Sequence, residues 1–211
     1  MNAPRPVESV ILLATTNPGK RNEFRALLPL SVRVLTLDDV SVSLPRETGT
    51  TFAMNAAAKA LAAARQTGLL ALADDSGLEV DALSGAPGVR SARFGGEPPS
   101  DERNRLALVD AMINLSGARR SARFVCAVAV AKSGVVVATA EGTCTGMIRL
   151  EPKGIFGFGY DSLFTLPDGR SMAELEPYEK NRISHRASAF QRILPDLLRE
   201  LGILASNGQA R

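Results

Sequence analysis

Asp74-Asp75-Ser76-Gly77 closes an apolar run, Leu69 to Ala73. Two adjacent carboxylates repel each other and resist desolvation unless a cation sits beside them. Carboxylate oxygens are hard ligands, so the expected cation is Mg²⁺, with Mn²⁺ as the alternative, rather than zinc. Ligands of α/β folds gather beyond the carboxyl ends of strands, where this pair is expected to lie. Glu47 is a further acid, in the turn Glu47 to Thr51 ahead of an Ala-rich segment. There Asn55 and Lys59 stand four residues apart and share a helix face.

Three other segments have chemistry-bearing spacing. Thr15, Thr16, Asn17, Pro18, Gly19 and Lys20 lie between a strand-like and a helix-like run. Such a loop aims backbone N–H groups and a helix N-terminus at one point, which favours phosphate, and Lys20 adds a full charge. The pattern is not that of a P-loop. Gly157-Phe158-Gly159-Tyr160-Asp161 lets backbone approach a ligand, with aromatic rings to stack on a base and a carboxylate to accept a base N–H. Lys180 to Arg186 holds the only histidine, His185, beside Arg186. Ser184 reads as an N-cap, which places both in a helix's first turn; a cation there calls for an anionic or polar partner. Each cluster taken alone also reads as an ordinary turn, bulge or solvated helix face.

These residues need elements to hold them. Val10 to Ala14 and Val32 to Leu37 read as strands around a helix carrying Phe24, Leu27 and Leu28. Phe52 to Arg65 reads as a helix. A strand over Leu69 to Ala73 is expected to stop at the Asp pair, with strand character resuming over Leu78 to Leu83. A helix is expected from Asp101 to Leu115, opened by acids that suit its dipole. Arg123 to Lys132 and Val135 to Glu141 form a hairpin about Ser133-Gly134, and Thr143 to Leu150 extends that sheet. Asp161 to Leu166 reads as a strand. Met172 to Leu201 reads as largely helical, with Pro195 expected to kink or interrupt it. Residues 206–211 read as a frayed tail. The tetrapeptide SARF occurs at Ser91 and again at Ser121, but the flanks differ and no repeat is implied.

With 211 residues, 45% of them hydrophobic and 22% charged, the chain is of globular type and expected to form a single domain. The net charge of +3 is small, the basic residues are scattered, aromatics make up 5% and Trp is absent, which argues against a polynucleotide groove. Cys126 and Cys144 lack metal or redox spacing and read as reduced thiols. No apolar run reaches the ~18 residues of a membrane span, and Met1 to Ser9 lacks the layout of a secretory signal. A soluble, cytoplasmic protein is expected.

Taken in order, ATTNPGK, ETGTTFAMNAAAKA, ADDSGLEVDAL, GAPG, SARF, FGFGYD and EKNRISHR resemble the inosine triphosphate pyrophosphatase family across about residues 10 to 190. The resemblance implies an α/β fold: a long, mixed, twisted sheet flanked by helices, in two lobes with a central cleft. It implies a homodimer, and hydrolysis of ITP, dITP and XTP to monophosphate and pyrophosphate with Mg²⁺. By the same resemblance Thr15 to Lys20 match the triphosphate loop, and Glu47 and Asp75 the metal carboxylates. Asp75 is also the expected proton acceptor, with Asp74 on or behind the metal, and Ser76 a substrate contact. Phe158 to Asp161 match the base-holding segment, and Lys180, His185 and Arg186 the C-terminal substrate contacts. Lys20, Lys59, Lys180 and Arg186 are the expected cations for the phosphates. Ser162 departs from the family's usual Pro, and Ile155 and Phe156 stand where the family is more Gly-rich; both touch base preference. The rival readings are a Maf-like nucleotide pyrophosphatase, a nucleotide-sensing module and, from the basic pI alone, a nucleic-acid binder.

Overall fold

The computed structural model describes residues 9–204; the tail expected at 206–211 lies outside them. Six strands form one mixed sheet in the order β2-β1-β3-β4-β5-β6. They are β1 (Val10–Leu13), β2 (Arg33–Thr36), β3 (Ala71–Val80), β4 (Ser121–Lys132), β5 (Val135–Ile148) and β6 (Phe164–Thr165). β2, β1 and β3 are parallel, and β3 through β6 are antiparallel. The helices are α1 (Pro18–Leu27), α2 (Phe52–Thr67), α3 (Asp101–Met112), α4 (Pro177–Ile183) and α5 (His185–Glu200).

β1 is buried almost throughout because helices cover both faces of the sheet. One face packs on α2, whose Ala56, Ala60, Ala63 and Ala64 let the helix approach the strands closely. The other face packs on α1 and α5 through Phe24, Phe190, Ile193 and Leu197. A third core, built on Leu78, Phe124, Leu108 and Phe164, covers the far ends of the long strands. The cleft opens between that end and the helix-covered end.

Four expectations need correction. β3 does not stop at the Asp pair. It runs on through Asp74, Asp75, Ser76 and Gly77 to Val80, paired with β4 residue by residue, and Asp81–Leu83 is a 3₁₀ turn. Charged residues are rare inside strands, but these two carboxylates have partners that repay their burial. Side chains alternate faces along a strand, so Asp74 and Asp75 point apart instead of repelling across one pocket. Of the strand expected at Asp161 to Leu166, only Phe164–Thr165 pairs, and Asp161–Leu163 is a 3₁₀ turn. The two segments flanking Gly142 are one strand, β5. Pro195 does not interrupt α5; it lies on the exposed side, where water can take the carbonyl it leaves unpaired.

Candidate active site

The five segments named from the sequence meet at one cleft of about 500 Å³, which residues within 44–45, 89–92 and 99–104, and Phe124, also line. Thr15, Thr16, Asn17, Lys20, Glu47, Lys59, Asp75, Ser76, Phe158, Gly159, Tyr160, Asp161, Lys180, His185 and Arg186 all face it. Of the expected site residues, Pro18, Gly19 and Asp74 stand behind its wall. Pro18 opens α1, where its missing N–H costs nothing. Gly19 lies under the Phe158 ring: an added Cβ would come within 2.4 Å of it.

The loop after β1 is held by its own polar groups. Asn17 caps α1, its Oδ1 accepting the Lys20 N–H at 3.0 Å. Thr15 Oγ1 accepts the Asn17 N–H at 3.3 Å. Lys20 thereby extends from the first turn of α1 to the Asp74 carboxylate, 3.0 Å away.

The charges form two alternating strings. The longer runs Asp161, Lys180, Glu23, Arg186, Asp74, Lys20. Lys180 Nζ lies 2.5 Å from Asp161 and 2.8 Å from Glu23. Arg186 is in direct contact with Glu23, 3.3 Å from Asp74, and donates to Ser76 Oγ at 2.8 Å. Glu23 is a site residue that sequence reasoning missed. Its signal was its place three residues after Lys20, on the same face of α1. The partner demanded by a cation in the first turn of α5 is this acid, together with Asp74. The shorter string runs Asp75, Lys59, Glu47, Arg93. Lys59 Nζ lies 2.6 Å from Glu47 and 4.0 Å from Asp75. Arg93, from the first SARF, donates to the Glu47 carbonyl oxygen at 3.0 Å. Asn55 ties Asp75 to the loop that carries Glu47: its Oδ1 accepts the Gly49 N–H and its Nδ2 donates to Asp75, both at 2.8 Å.

Asp74 and Asp75 differ in proton affinity. Burial works against ionising Asp74, but Lys20, Arg186 and Lys59 hold its carboxyl well below the usual carboxylate range. Burial raises Asp75, the Glu47 charge adds to it, and Lys59 only partly offsets them. Glu47 is also penalised by burial, yet Lys59, Lys20 and Arg93 bring it below its ordinary value. Burial, then the charges of Arg186 and Lys180, push His185 well below 6.5, so its imidazole is neutral at pH 7. It stacks on Phe124 at 4.8 Å, and its Nδ1 has no hydrogen-bond partner. Cys126, beside Asp74, is pushed up to about 12 and stays a thiol, chiefly through burial.

The other end of the cleft is built on Phe158. Lys180 Nζ sits 4.6 Å from its ring centroid and Arg186 5.9 Å. The Phe158 N–H donates to Asp161 at 2.8 Å, and Tyr160 Oη donates to the Ser91 carbonyl at 2.8 Å. The Gly159 N–H, an attractive donor for a ligand, is already given to Asp101 at 2.7 Å.

Residues 11–196 match the Ham1 family. The chain belongs to the Ham1 family. Relatives agree over nearly their full length. The dITP/XTP pyrophosphatase of Desulforamulus reducens is 48% identical over 192 residues, 90% of this chain and 96% of that protein. The one from Geobacillus kaustophilus is 49% identical over 187 residues, 87% of this chain and 91% of that protein. The solved structure of a HAM1 protein from Coxiella burnetii superposes with a TM-score of 0.80 at 41% identity, covering 90% of this chain and 98% of that one. As a Ham1 protein this chain has the expected α/β architecture.

Among the described residues no three His, Cys, Asp or Glu side chains converge as a metal-binding group. Mg²⁺ does not require that: it commonly binds one or two carboxylates and completes its octahedron with water and substrate phosphate. Glu47 and Asp75 already share a cation, the Lys59 ammonium. This donor set fits a small, hard divalent ion. Asp74, on the opposite face of β3, holds Lys20 and Arg186 instead of facing that point.

Proposed function

We propose that this Ham1 protein hydrolyses deaminated purine nucleoside triphosphates (ITP, dITP and XTP) to the monophosphate and pyrophosphate. The observation that carries the reading is the two-ended cleft. One end gathers the α1 N-terminus, Lys20, Lys59 and two carboxylates; the other gathers an aromatic ring, a buried acid and a neutral histidine. Its volume and charged lining suit a nucleotide, and the names of the relatives agree.

Glu47 and Asp75 would hold Mg²⁺, with Mn²⁺ as a substitute. Bound there, the ion would withdraw charge from the phosphate oxygens. Asp75 accepts the proton of the attacking water, and its raised proton affinity suits a general base. The water oxygen bonds to the α-phosphorus, and the bond from that phosphorus to the α–β bridging oxygen breaks. Pyrophosphate leaves with the bonding pair, its charge offset by Lys20 and Lys59. Asp74 keeps Lys20 extended for this.

At the other end Phe158 stacks on the base. A 6-oxo purine needs a donor where adenine needs an acceptor. His185, neutral and lining the cleft, would supply that donor through a ring N–H. A site built around a donor leaves adenine unpaired, a penalty that can reach ~10⁴-fold. As a homodimer in the cytoplasm, the enzyme would clear such nucleotides from the triphosphate pool.

The test is product analysis with Mg²⁺ and ITP, XTP, dITP, GTP, ATP and dTTP. Monophosphate plus pyrophosphate from ITP or XTP, with little turnover of ATP, is expected. Asp75→Asn should lower kcat about 10²- to 10⁴-fold without unfolding the protein. Orthophosphate and diphosphate as products, or near-normal turnover by Asp75→Asn, would overturn the assignment.

A further inference from the structure

Helix α3 reaches the base end of the cleft from the third core, where Leu108 and Met112 anchor it. Its first residues are held by Ser100, whose hydroxyl accepts the Arg103 N–H at 3.3 Å. Asp101 and Arg105 are four residues apart and share one face of the helix. That face grips a single residue of the ring-bearing loop from both sides. Asp101 Oδ2 accepts the Gly159 N–H at 2.7 Å, and Arg105 Nη1 donates to the Gly159 carbonyl at 2.9 Å. Between them, Asn104 Oδ1 accepts the Gly95 N–H at 2.8 Å, and its Nδ2 donates to Ala92 O at 2.9 Å. The neighbouring Ser91 carbonyl takes the Tyr160 hydroxyl at 2.8 Å. The segment carrying Phe158 is thus suspended from α3 on one side and from residues 91–92 on the other.

We propose that Asp101 and Arg105 are positioning residues for base selection: by fixing both polar atoms of Gly159 they set the Phe158 ring relative to His185. The inference rests on the reading of Phe158 as the base-stacking ring. The chemistry supports a positional role over direct contact. Gly159 follows Phe158 directly, so rotation of its peptide planes carries the ring with it. Hydrogen bonds with one charged partner are the stronger kind, and two of them on one residue fix orientation as well as place. Selection between a 6-oxo and a 6-amino purine depends on donor and acceptor meeting within about half an ångström, so a ring free to shift loses discrimination before it loses affinity.

The experiment compares the parent with Asp101→Ala, Arg105→Ala, Asp101→Asn and Arg105→Lys. Two quantities are read: the ratio of kcat/KM for ITP and ATP, and the ratio of Kd for IMP and AMP by calorimetry. The alanine variants are expected to narrow both ratios at least tenfold. Asn, which still accepts the Gly159 N–H, and Lys, which still donates to the carbonyl, are expected to restore most of the ratio. Should Asp101→Ala fail to fold, Arg105→Ala carries the test, since it leaves unpaired only one carbonyl, on a residue that is partly exposed. Alanine variants with lower Tm but unchanged ratios would overturn the inference while leaving the proposed function standing. A parent that does not distinguish IMP from AMP would overturn the reading of the base slot, and the inference with it.

Discussion

Lys59 holds its ammonium between the two carboxylates assigned to the metal, 2.6 Å from Glu47 and 4.0 Å from Asp75. A divalent ion and this lysine therefore compete for the same oxygens. A triphosphate changes the balance, because its phosphates give Lys59 another anion. Metal and nucleotide should accordingly strengthen each other's binding, reciprocally. Lys59→Gln is expected to tighten Mn²⁺ binding to the nucleotide-free protein, measured by calorimetry or electron paramagnetic resonance, while raising KM for ITP. Equal or weaker Mn²⁺ binding in that variant would refute the competition. At this scale the sequence identified acids and bases but not their partners. Lys20, Lys59, Lys180 and Arg186 were expected, through the resemblance, as cations for phosphate; that each is already paired with a carboxylate was not foreseen. Glu23, which joins Lys180 to Arg186, meets them across 157 and 163 positions of chain, a separation that no local spacing rule reaches.

The hairpin between β4 and β5 turns through Ser133 and Gly134 with φ of 49° and 81°. Both are in the left-handed region, as a two-residue turn of type I′ requires. Serine is a poor occupant of that region and asparagine a better one. Ser133→Asn is expected to stabilise the protein by about 0.5 kcal/mol, read as a higher Tm with unchanged turnover of ITP. A lower Tm would mean that Ser133 makes a compensating contact. Elements of this kind were readable because their signals are local: strand, two turn residues, strand. β3 was misread for the opposite reason. The run ADDSG looks like a strand end because isolated carboxylates do not survive inside a sheet. What lets it continue lies elsewhere: Lys20 on α1, Arg186 on α5, and Asn55 and Lys59 on α2. The Asp161–Leu163 turn was misread in the same way, since Lys180 stabilises a buried Asp161 that its own neighbours do not explain.

At the scale of the whole molecule, much of the order of elements was legible because strand-like and helix-like runs are set apart by clear turns; the α/β class and the assembly of the cleft were expected through the family resemblance. One global property follows from His185, the only histidine. Its folded pKa lies well below 6.5, chiefly through burial. The unfolded chain therefore takes up a proton near pH 6.5 that the folded protein refuses. Stability attributable to His185 is present above pH 6.5 and is lost as pH falls toward the folded value, at a limiting slope of about 1.4 kcal/mol per pH unit. Asp74, Glu23 and Glu47, held low by their cations, lose their contributions only at more acid pH; Asp75 and Asp161, held high by burial, act in the opposite sense. As pH falls below 6.5, the Tm of the parent should fall faster than that of His185→Asn. Parallel Tm curves would show that the imidazole is protonated inside the fold. The passage of β3 through the cleft also bears on how the gene can vary. Its alternation delivers Asp74 to α1 and α5, and Asp75 to α2. One codon added or lost between the start of β3 and this pair would exchange those faces, setting each carboxylate against the wrong helix. Two codons would restore the faces but slide the pair by roughly 6.7 Å, beyond the reach of its cations. Length variation among relatives should therefore gather in the surface loops and leave this strand untouched.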